Sequence, residues 1–453
     1  MSDFGPVGVE TLPIHATRFS GSSHSCTLRI RERSRLEWSY TDGGDPAVLL
    51  EDFLAANGLA VRALSDLRRS PCVADHAVSG VCGAAVLISA AAGVAMLQRA
   101  GAHSPLIKDG SAGGSVPGGD RPMIDGGGVS AAGHPGPRRP RQGAWGRPSP
   151  APAVPDLVAV VYEHDITAPP FPGDRGARSW RVGEWEPSWT PAAHARAVSR
   201  VREAIGRGDV YQVNVVGHAS AAYTGDPLPA LARLGSLPGA RYGSVLAGDG
   251  WAVGCASPET LVEVSAGRVV TRPIKGTRAA TAVGRAELLA SAKERAEHVM
   301  IVDLERNDLA RVARTGSVRV DELYAIRRWS DLWQAESVVS AELADGVGLA
   351  ALLRAVCPGG SVTGAPKLAA LSEIAALEPV GRGPSMGGMG WIDASGNLDL
   401  GLTIRTAAAD GDRLHLWAGG GITWDSDPAA EVAEAEAKAT PIRTLLSTGA
   451  LPS

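Results

Sequence analysis

The chain has 453 residues, of which 44% are hydrophobic and 20% are charged, and its formal net charge at pH 7 is −4. It is long enough for one large domain or two to three smaller ones, and the lack of excess positive charge argues against a nucleic-acid partner. The five cysteines are scattered and never form a C-x-x-C pair. This pattern favours reduced thiols and a cytoplasmic location over a disulfide framework or a zinc site.

Residues 1–109 form a divergent N-terminal region that contains one long uncharged segment, "VSGVCGAAVLISAAAGVAMLQ" at 78–98. The segment is long enough to span a bilayer, but Ala, Gly and Ser dominate it and few Leu or Ile would favour insertion. We therefore expect a buried or poorly ordered stretch and no membrane partner.

A compositional change divides the chain near residue 155. Residues 110–155 are dense in Gly, Pro, Ser and Arg. Such a segment cannot bury enough apolar surface to offset the entropy lost on ordering, so it is predicted to be disordered. Residues 156–189 are then a connection into a domain predicted over 190–448.

Helices and strands are intermixed in this domain. Thr190 and Pro191 are typical of a helix start, and the helix is predicted to end at Gly206. "VYQVNVV" alternates as a strand does, and "ETLVEVSAGRVVTRPIKG" predicts a hairpin that turns on residues 265–267. The order of elements lacks strict βαβ alternation, which favours the α+β class.

The hairpin brings an acid and an amine together. A three-residue loop would place Glu259 opposite Pro273, with Lys275 two positions further along the same face. For an arbitrary Glu–Lys pair, a surface salt bridge would be the usual explanation. However, Lys275 lies between a proline and Gly276, where the strand must end and the backbone can approach a ligand closely.

Two helical segments carry acidic pairs that share a face, Glu294 with Glu297 and Glu431 with Glu434. Carboxylate oxygens from two such faces could hold Mg²⁺ together with substrate oxygens. The alternative is a pair of solvated helices stabilised by ion pairs such as Glu434 with Lys438.

Two glycine runs accompany the acidic pairs. "CPGGSVTGAPK" (357–367) leads into a helical pattern and could form an anion-binding nest, and "WAGGGITWDSDP" (417–428) precedes the second acidic helix. Arg405 lies in an apolar strand, where an arginine needs an anionic partner. Together these features indicate a small substrate that carries more than one carboxylate.

Seven motifs identify a family. In chain order they are "GDVYQVNV", "ASPE", "RPIKGTR", "AEHVMIVDLERNDLARV", "GGSVTGAPK", "LTIRT" and "GGGITWDSDPAAE". Over residues 190–445 the chain resembles the chorismate-utilising enzymes, and within them the aminodeoxychorismate synthase component I subgroup. The resemblance implies a large α+β domain of packed β-sheets with outer helices and an active site between them.

The resemblance also implies a reaction. Anthranilate synthases carry P-I-A-G-T where this chain has P-I-K-G-T, the pattern of aminodeoxychorismate synthases. The family's lysine, here Lys275, is expected to add to C2 of chorismate while the C4 hydroxyl leaves. Glu259 matches the general acid that protonates the hydroxyl, and ammonia then adds at C4.

Further site residues follow from the same resemblance. The implied Mg²⁺ ligands are Glu297 and Glu434, with Glu294 and Glu431 beside them. The implied substrate-binding residues are Arg405, Lys438, Gly419, Gly421, Thr363 and Gln212. Isochorismate and salicylate synthases have a lysine at the position of Gln212 to activate water, and because a glutamine cannot act as a base, ammonia is the expected nucleophile.

The implied partner is a separate glutamine amidotransferase that supplies ammonia, with a product directed to 4-aminobenzoate and folate or to a specialised metabolite. Two residues depart from the family pattern: Ser385 replaces a tyrosine and Gln334 replaces a histidine. Two alternatives stay open, an anthranilate synthase component I and a catalytically impaired homologue that binds an amidotransferase.

Overall fold

The computed structural model describes residues 30–67, 80–102, 153–164, 180–329, 331–411 and 413–447. The segment predicted to be disordered, 110–155, lies outside these residues except for its last three positions. Two β-sheets form the described structure, and helices cover their outer surfaces and ends.

The larger sheet contains ten of the described strands. They are β1 (Ile30–Trp38), β2 (Val81–Ile88), β3 (Leu157–His164), β9 (Thr260–Ser265), β10 (Arg268–Arg272), β11 (Ile274–Ala279), β12 (Arg319–Trp329), β13 (Leu332–Glu342), β15 (Gly388–Asp393) and β16 (Leu398–Leu402). Their order is β1-β3-β2-β15-β16-β9-β10-β13-β11, and β12 also pairs with β13.

The smaller sheet contains the other eight strands of the described residues. They are β4 (Arg181–Val182), β5 (Glu186–Pro187), β6 (Gln212–Thr224), β7 (Tyr242–Gly248), β8 (Trp251–Ser257), β14 (Gly364–Ala365), β17 (Thr406–Asp410) and β18 (Arg413–Ile422). The order is β14-β6-β18-β17-β8-β7, with β4 and β5 pairing on β6.

The α-helices of the described part are α1 (Pro46–Ala56), α2 (Ala90–Ala102), α3 (Pro191–Gly206), α4 (Leu228–Ala232), α5 (Ala282–Ala290), α6 (Ala292–Ala310), α7 (Leu349–Val356), α8 (Lys367–Leu377) and α9 (Pro428–Ser447). Helix α3 begins as predicted: Thr190 Oγ1 accepts a hydrogen bond from the Ala193 amide, and Pro191 takes the first helical position.

The main hydrophobic core joins the two sheets. Val262 of β9 and Leu400 of β16 belong to the same buried cluster as Val253 of β8 and Trp417 of β18. Removal of these side chains from water is the main force that holds one sheet against the other. The predicted α+β class, with packed sheets and outer helices, is confirmed.

The uncharged segment at 78–98 is a buried part of the larger sheet and its cover. From residue 81 it forms β2 and most of α2, and residues 83–96 are buried throughout. No helix in the described ranges has the length and apolar character needed to cross a membrane. Strand β2 pairs with β15, so the N-terminal region and the domain predicted over 190–448 contribute strands to one sheet.

The hairpin between β9 and β10 differs from the prediction. Ser265 pairs with Arg268, so the loop has two residues and the predicted three-residue loop is wrong. Ala266 and Gly267 have φ angles of 52° and 76°, the backbone of a tight turn that matches the strand twist. A bulge between Val270 and Arg272 then shifts the pairing by one residue, so Arg272 lies opposite Thr260.

This bulge restores the register that a three-residue loop would have given. The end of the hairpin therefore lies where the sequence predicted it, although the turn does not.

Candidate functional site

Lys275 lies at an irregularity in β11. It pairs with Ala335 of β13, whereas Thr277 pairs with Gln334, so Gly276 is left out of the ladder. Gly276 has φ +76°, and a Cβ there would be 2.9 Å from the carboxyl carbon of Glu294. Only glycine fits this backbone and this close approach, and Lys275 is the last regularly paired residue before the bulge.

Lys275 and Glu259 meet at Ser361. The Ser361 hydroxyl donates a hydrogen bond of 2.6 Å to Glu259 Oε1, and Lys275 Nζ lies 3.5 Å from the Ser361 carbonyl oxygen. Ser361 belongs to the buried 3₁₀ turn Gly360–Val362. The sequence reasoning did not single out Ser361, although its position in the run "GGSVTGAPK" was an available signal.

Glu259 is suited to donate a proton. It is 5% exposed, and burial raises the pKa of its carboxyl, although Lys275 and the Ser361 hydroxyl act in the opposite direction. A carboxyl that keeps its proton above the usual pH range can act as a general acid near neutral pH.

His298 of α6 is fully buried beside Lys275. Its Nε2 lies 3.2 Å from the backbone nitrogen and 3.2 Å from the backbone oxygen of Lys275, and its Nδ1 lies 2.7 Å from Ser337 Oγ. Burial lowers the pKa of His298 to about 4, so the ring is neutral at pH 7.

Gln212 presents an unpaired amide to the same space. The residue is fully buried, and neither side-chain amide atom has a hydrogen-bond partner among the described residues. Its Nε2 is 2.3 Å from the point that a Cβ on Gly421 would occupy, and Lys275 Nζ is 3.6 Å from the same point. A side chain at Gly421 would therefore close the space between the amide and the amine. Because an unpaired buried amide is costly, this position is suited to a ligand.

Arg405 lies between β16 and β17, so its predicted place within a strand is wrong, and its backbone is strained, with φ +50°. Its Nη1 donates a 3.3 Å hydrogen bond to the Pro238 carbonyl, and burial lowers its pKa, an effect that Glu259 opposes. The Arg405 Nη1 and Gln334 Nε2 atoms lie 3.7 and 4.0 Å from one point, the Cβ position at Gly239. The Gln334 amide also lacks a described partner. These groups can hold a carboxylate.

The acidic faces of α6 and α9 converge on Lys293. Its Nζ lies 3.8 Å from Glu297 Oε1 and 3.7 Å from Glu431 Oε1. Burial opposes ionisation of Lys293, but the four glutamates raise its pKa overall, in the order Glu297, Glu431, Glu434 and Glu294. The four predicted carboxylates are therefore close enough to act on one cation.

Two of the four carboxylates also pair with other cations of the chain. Glu434 Oε1 pairs with Lys438 Nζ at 2.8 Å, and Glu294 Oε1 lies 3.8 Å from Arg278. Among the described residues, no three His, Cys, Asp or Glu side chains are gathered closely enough to form a metal site. The donor chemistry fits Mg²⁺ nonetheless, because carboxylates from two facing helices already surround a positive charge.

The glycine run of β18 lies against α9. Lys438 Nζ donates a 2.9 Å hydrogen bond to the Gly419 carbonyl. A Cβ on Gly420, which the sequence reasoning did not select, would be 3.2 Å from Glu431 Oε2 and 3.8 Å from Glu434 Oε1. The glycines therefore allow the acidic helix to approach the strand.

Two hydroxyl groups are directed at backbone carbonyls. Thr363 Oγ1 donates to the Gly359 carbonyl at 2.8 Å, and Ser385 Oγ donates to the Thr403 carbonyl at 3.2 Å. Both residues are buried. Thr363 thus lies at the end of the turn that carries Ser361, and its hydroxyl proton is donated to a carbonyl at the start of that turn.

Comparisons with known proteins place the chain among similar sequences and structures. A sequence profile described as chorismate binding enzyme matches residues 161–444. The chain is 36% identical over 280 residues to aminodeoxychorismate synthase component 1 of Bacillus subtilis, which covers 60% of each chain. It is 38% identical over 270 residues to anthranilate synthase component 1 of Streptomyces coelicolor, which covers 58% of this chain and 52% of that protein. The match thus spans less than two thirds of these relatives.

The fold is also similar to a solved structure, anthranilate synthase component I from Streptococcus pneumoniae. The TM-score is 0.65 at 22% sequence identity, and the likeness covers 94% of both chains. At this identity the likeness concerns the fold.

Proposed function

This chain belongs to the chorismate-binding enzymes, and from that membership we propose that it aminates chorismate at C4 with ammonia to give 4-amino-4-deoxychorismate. The observation that carries the proposal is the meeting of Glu259 and Lys275 at Ser361. An acid that holds its proton and an amine on the same turn are the two groups that departure of a hydroxyl and covalent attack require.

The proposed reaction has two displacements. The Lys275 amine adds to C2, the ring double bonds shift, and the C4 hydroxyl leaves as water with the proton of Glu259. Ammonia then adds at C4, the double bonds shift back, the Lys275 amine leaves C2, and the added nitrogen returns one proton to Glu259. The sum is chorismate plus ammonia to aminodeoxychorismate plus water.

Other residues of the chain would hold the substrate. Arg405 with Gln334, and Lys438 beside Gly419, offer positive charge and amide hydrogen to the two carboxylates of chorismate. Gln212 borders the space in front of Lys275 and offers no base to activate water. This chemistry favours ammonia over water as the incoming nucleophile.

Mg²⁺ would be held by Glu297 and Glu434 together with Glu294 and Glu431. When bound, the ion would supply positive charge to a substrate carboxylate. The convergence of the four carboxylates on Lys293 supports this assignment.

Mass spectrometry of the products from chorismate, ammonium salt and Mg²⁺ tests the function. We expect a product with the mass of aminated chorismate and no pyruvate. An unchanged chorismate pool under conditions where the protein is folded would contradict the proposal and favour a catalytically impaired homologue.

Anthranilate synthase is the second candidate, because a relative that bears this name has nearly the same identity to the chain. This reaction releases pyruvate, so a lactate dehydrogenase assay separates the two candidates. Lys275 favours the first, since the anthranilate synthase pattern has an alanine at this position.

A partner subunit is part of the proposal. The similar proteins are named component 1 of their enzymes, which supports a second component, and we infer a glutamine amidotransferase that supplies ammonia. The product would serve 4-aminobenzoate and folate synthesis or a specialised aminobenzoate-derived metabolite. If product forms from glutamine only after an amidotransferase subunit is added, the result supports this partner. If glutamine gives the same rate of product formation without the added subunit, the result contradicts it.

A further inference from the structure

Lys275 lies in the strand that ends the order of the larger sheet among the described residues. This strand, β11, pairs with β13 on one side. The Ser337 amide donates to the Pro273 carbonyl, so the alternation of an antiparallel pair turns the N–H and C=O of Lys275, two residues further on, towards Ala335 of β13. The imidazole of His298 lies against this last pair before the bulge, with Nε2 at 3.2 Å from the Lys275 nitrogen and 3.2 Å from the Lys275 oxygen.

His298 is itself fixed by a second contact. Its Nδ1 lies 2.7 Å from Ser337 Oγ, and the Tyr324 amide donates to the same oxygen at 3.0 Å. The ring also makes a T-shaped contact with the Tyr324 ring, with 4.9 Å between centroids. In either neutral tautomer one nitrogen bonds the Lys275 backbone and the other bonds Ser337, so the ring cannot rotate without loss of both bonds.

The bulge at Gly276 interrupts the ladder beside Lys275. Gly276 leaves the ladder immediately after Lys275, so the regular pairing with β13 stops on the C-terminal side of Lys275. The Lys275 amine must nevertheless remain near Ser361, and through it near Glu259. A displacement of about 1 Å between reacting groups can reduce a rate by roughly 10²-fold.

We propose that His298 is a positioning residue that anchors the Lys275 backbone at the sheet edge and so keeps the Lys275 amine aligned with Glu259. Its significance for turnover rests on the proposed function. The anchoring itself is a property of the folded chain and can be measured without chorismate.

Two substitutions test the contacts of the two His298 ring nitrogens one at a time. In His298→Asn the side-chain amide can take the place of Nδ1 and keep the Ser337 contact, but it is too short to reach Lys275. In His298→Gln the longer amide can take the place of Nε2 and keep the Lys275 contact. We expect kcat to fall about 10- to 100-fold in His298→Asn, with KM for chorismate changed far less, and to recover at least several-fold in His298→Gln.

His194→Asn is the matched control. His194 is also a buried helical histidine, at 6% exposure, but it stacks on Trp189, with 4.6 Å between ring centroids, and has no contact with Lys275 among the described interactions. We expect it to lower thermal stability without lowering kcat. Equal loss of kcat in His298→Asn and His298→Gln would overturn the proposal, because a purely structural role does not distinguish the two nitrogens.

Amine labelling gives a readout that does not need the reaction. Acetic anhydride is added to each folded variant without chorismate, and the peptides around Lys275 and Lys438 are quantified by mass spectrometry. We expect His298→Asn to raise the Lys275 labelling rate several-fold relative to Lys438, and His298→Gln to stay near the wild type. Unchanged Lys275 labelling in His298→Asn would refute the anchor, whereas a wild type that makes no product would refute only the proposed function.

Discussion

The Lys293 ammonium on α6 lies 3.7 Å from the Glu431 carboxylate on α9, and this contact joins the two acidic helices through a cation of the chain itself. The same ammonium lies 3.8 Å from Glu297. A divalent cation bound by these carboxylates must therefore compete with Lys293 for the same oxygens.

Lys293→Met should bind Mg²⁺ more tightly than the wild type, because the substitution keeps the length of the side chain and removes the competing charge. We expect a several-fold lower dissociation constant in calorimetric titration of the protein with MgCl₂ in the absence of chorismate. Arg306→Met, which removes an exposed cation further along α6, is the control and should leave the affinity unchanged. Weaker binding in Lys293→Met would show that Lys293 assists the metal rather than competes with it.

Glu297→Gln and Glu434→Gln should each abolish most of the amination activity while the protein stays folded. Each substitution keeps the side-chain volume and removes one charged oxygen from the proposed Mg²⁺ site. Product formation with excess Mg²⁺ and thermal unfolding would be measured together. Equal wild-type activity in EDTA and in Mg²⁺ would eliminate the metal from the reaction.

Lys275→Ala should lose on the order of 10³-fold or more in kcat, because the nucleophile that the fold positions beside the ring is removed. Chorismate binding should weaken far less, since Arg405 and Lys438 remain. When the wild-type reaction is stopped without ammonia, the peptide around Lys275 should carry the mass of dehydrated chorismate. An active Lys275→Arg variant with no trapped adduct would instead show that the lysine acts only as a positive charge.

The activity should decrease at alkaline pH as Glu259 loses its proton. Burial raises the pKa of this carboxyl, so the acid form persists above the usual range of a glutamate and disappears as pH rises through the elevated value. Glu259→Gln cannot donate a proton and should lose about 10²- to 10⁴-fold in kcat/KM. The measurement is the pH profile of kcat/KM for the wild type and for Glu259→Gln. If Glu259→Gln keeps some activity and its activity decreases over the same alkaline pH range as that of the wild type, the titrating group is not Glu259.

Glu305 should make the protein less stable as pH rises. It is 6% exposed; burial raises its pKa above the usual 4.5, Asp308 adds to the rise, and Lys367, which bonds Asp308, only partly opposes it. Below about pH 4.5 the folded and unfolded states both hold the proton. At higher pH the unfolded state releases it first, so the free energy of unfolding falls until the folded-state pKa is reached.

Glu305→Gln has no proton to lose, so its free energy of unfolding should decrease less between pH 5 and pH 8 than that of the wild type. Urea unfolding at several pH values measures the difference. Glu287→Gln, at a side chain that is 58% exposed, serves as the control and should follow the wild type. Parallel curves for the wild type and Glu305→Gln would show that Glu305 titrates normally in the folded protein.

The sequence predicted the helices and strands around the site because their signals are local. The cap at Thr190 and the alternation around Gln212 each arise within a few residues, and the structure contains both elements. The α+β class followed from the order of such elements. By contrast, the turn at Ala266–Gly267 was predicted one residue too long, because alanine gives little indication of a left-handed backbone.

The site was predictable only in part, since its contacts join distant segments. Glu259 and Lys275 were found from the hairpin register, but Ser361 lies 102 residues from Glu259 and has no pattern that links the two. Lys293 and Glu297 are four residues apart on α6, but Lys293 meets Glu431 only after α6 and α9 have packed. The uncharged segment that forms β2 was ambiguous for a different reason: a strand buried on both faces shows no alternation of polar and apolar residues.

β2 also bears on which amino-acid substitutions this chain can accept. It lies between β3 and β15, and it is held there by backbone hydrogen bonds, which do not depend on the identity of the side chains. Its inward positions need only be small or apolar, and Ala84, Ala85 and Val86 meet that condition without carrying a recognisable motif. Most positions of β2 can thus accept another small or apolar residue. Gly83 cannot, because a Cβ there would meet the Ile392 carbonyl and the Trp391 ring of β15, so it is restricted to glycine as Gly276 is.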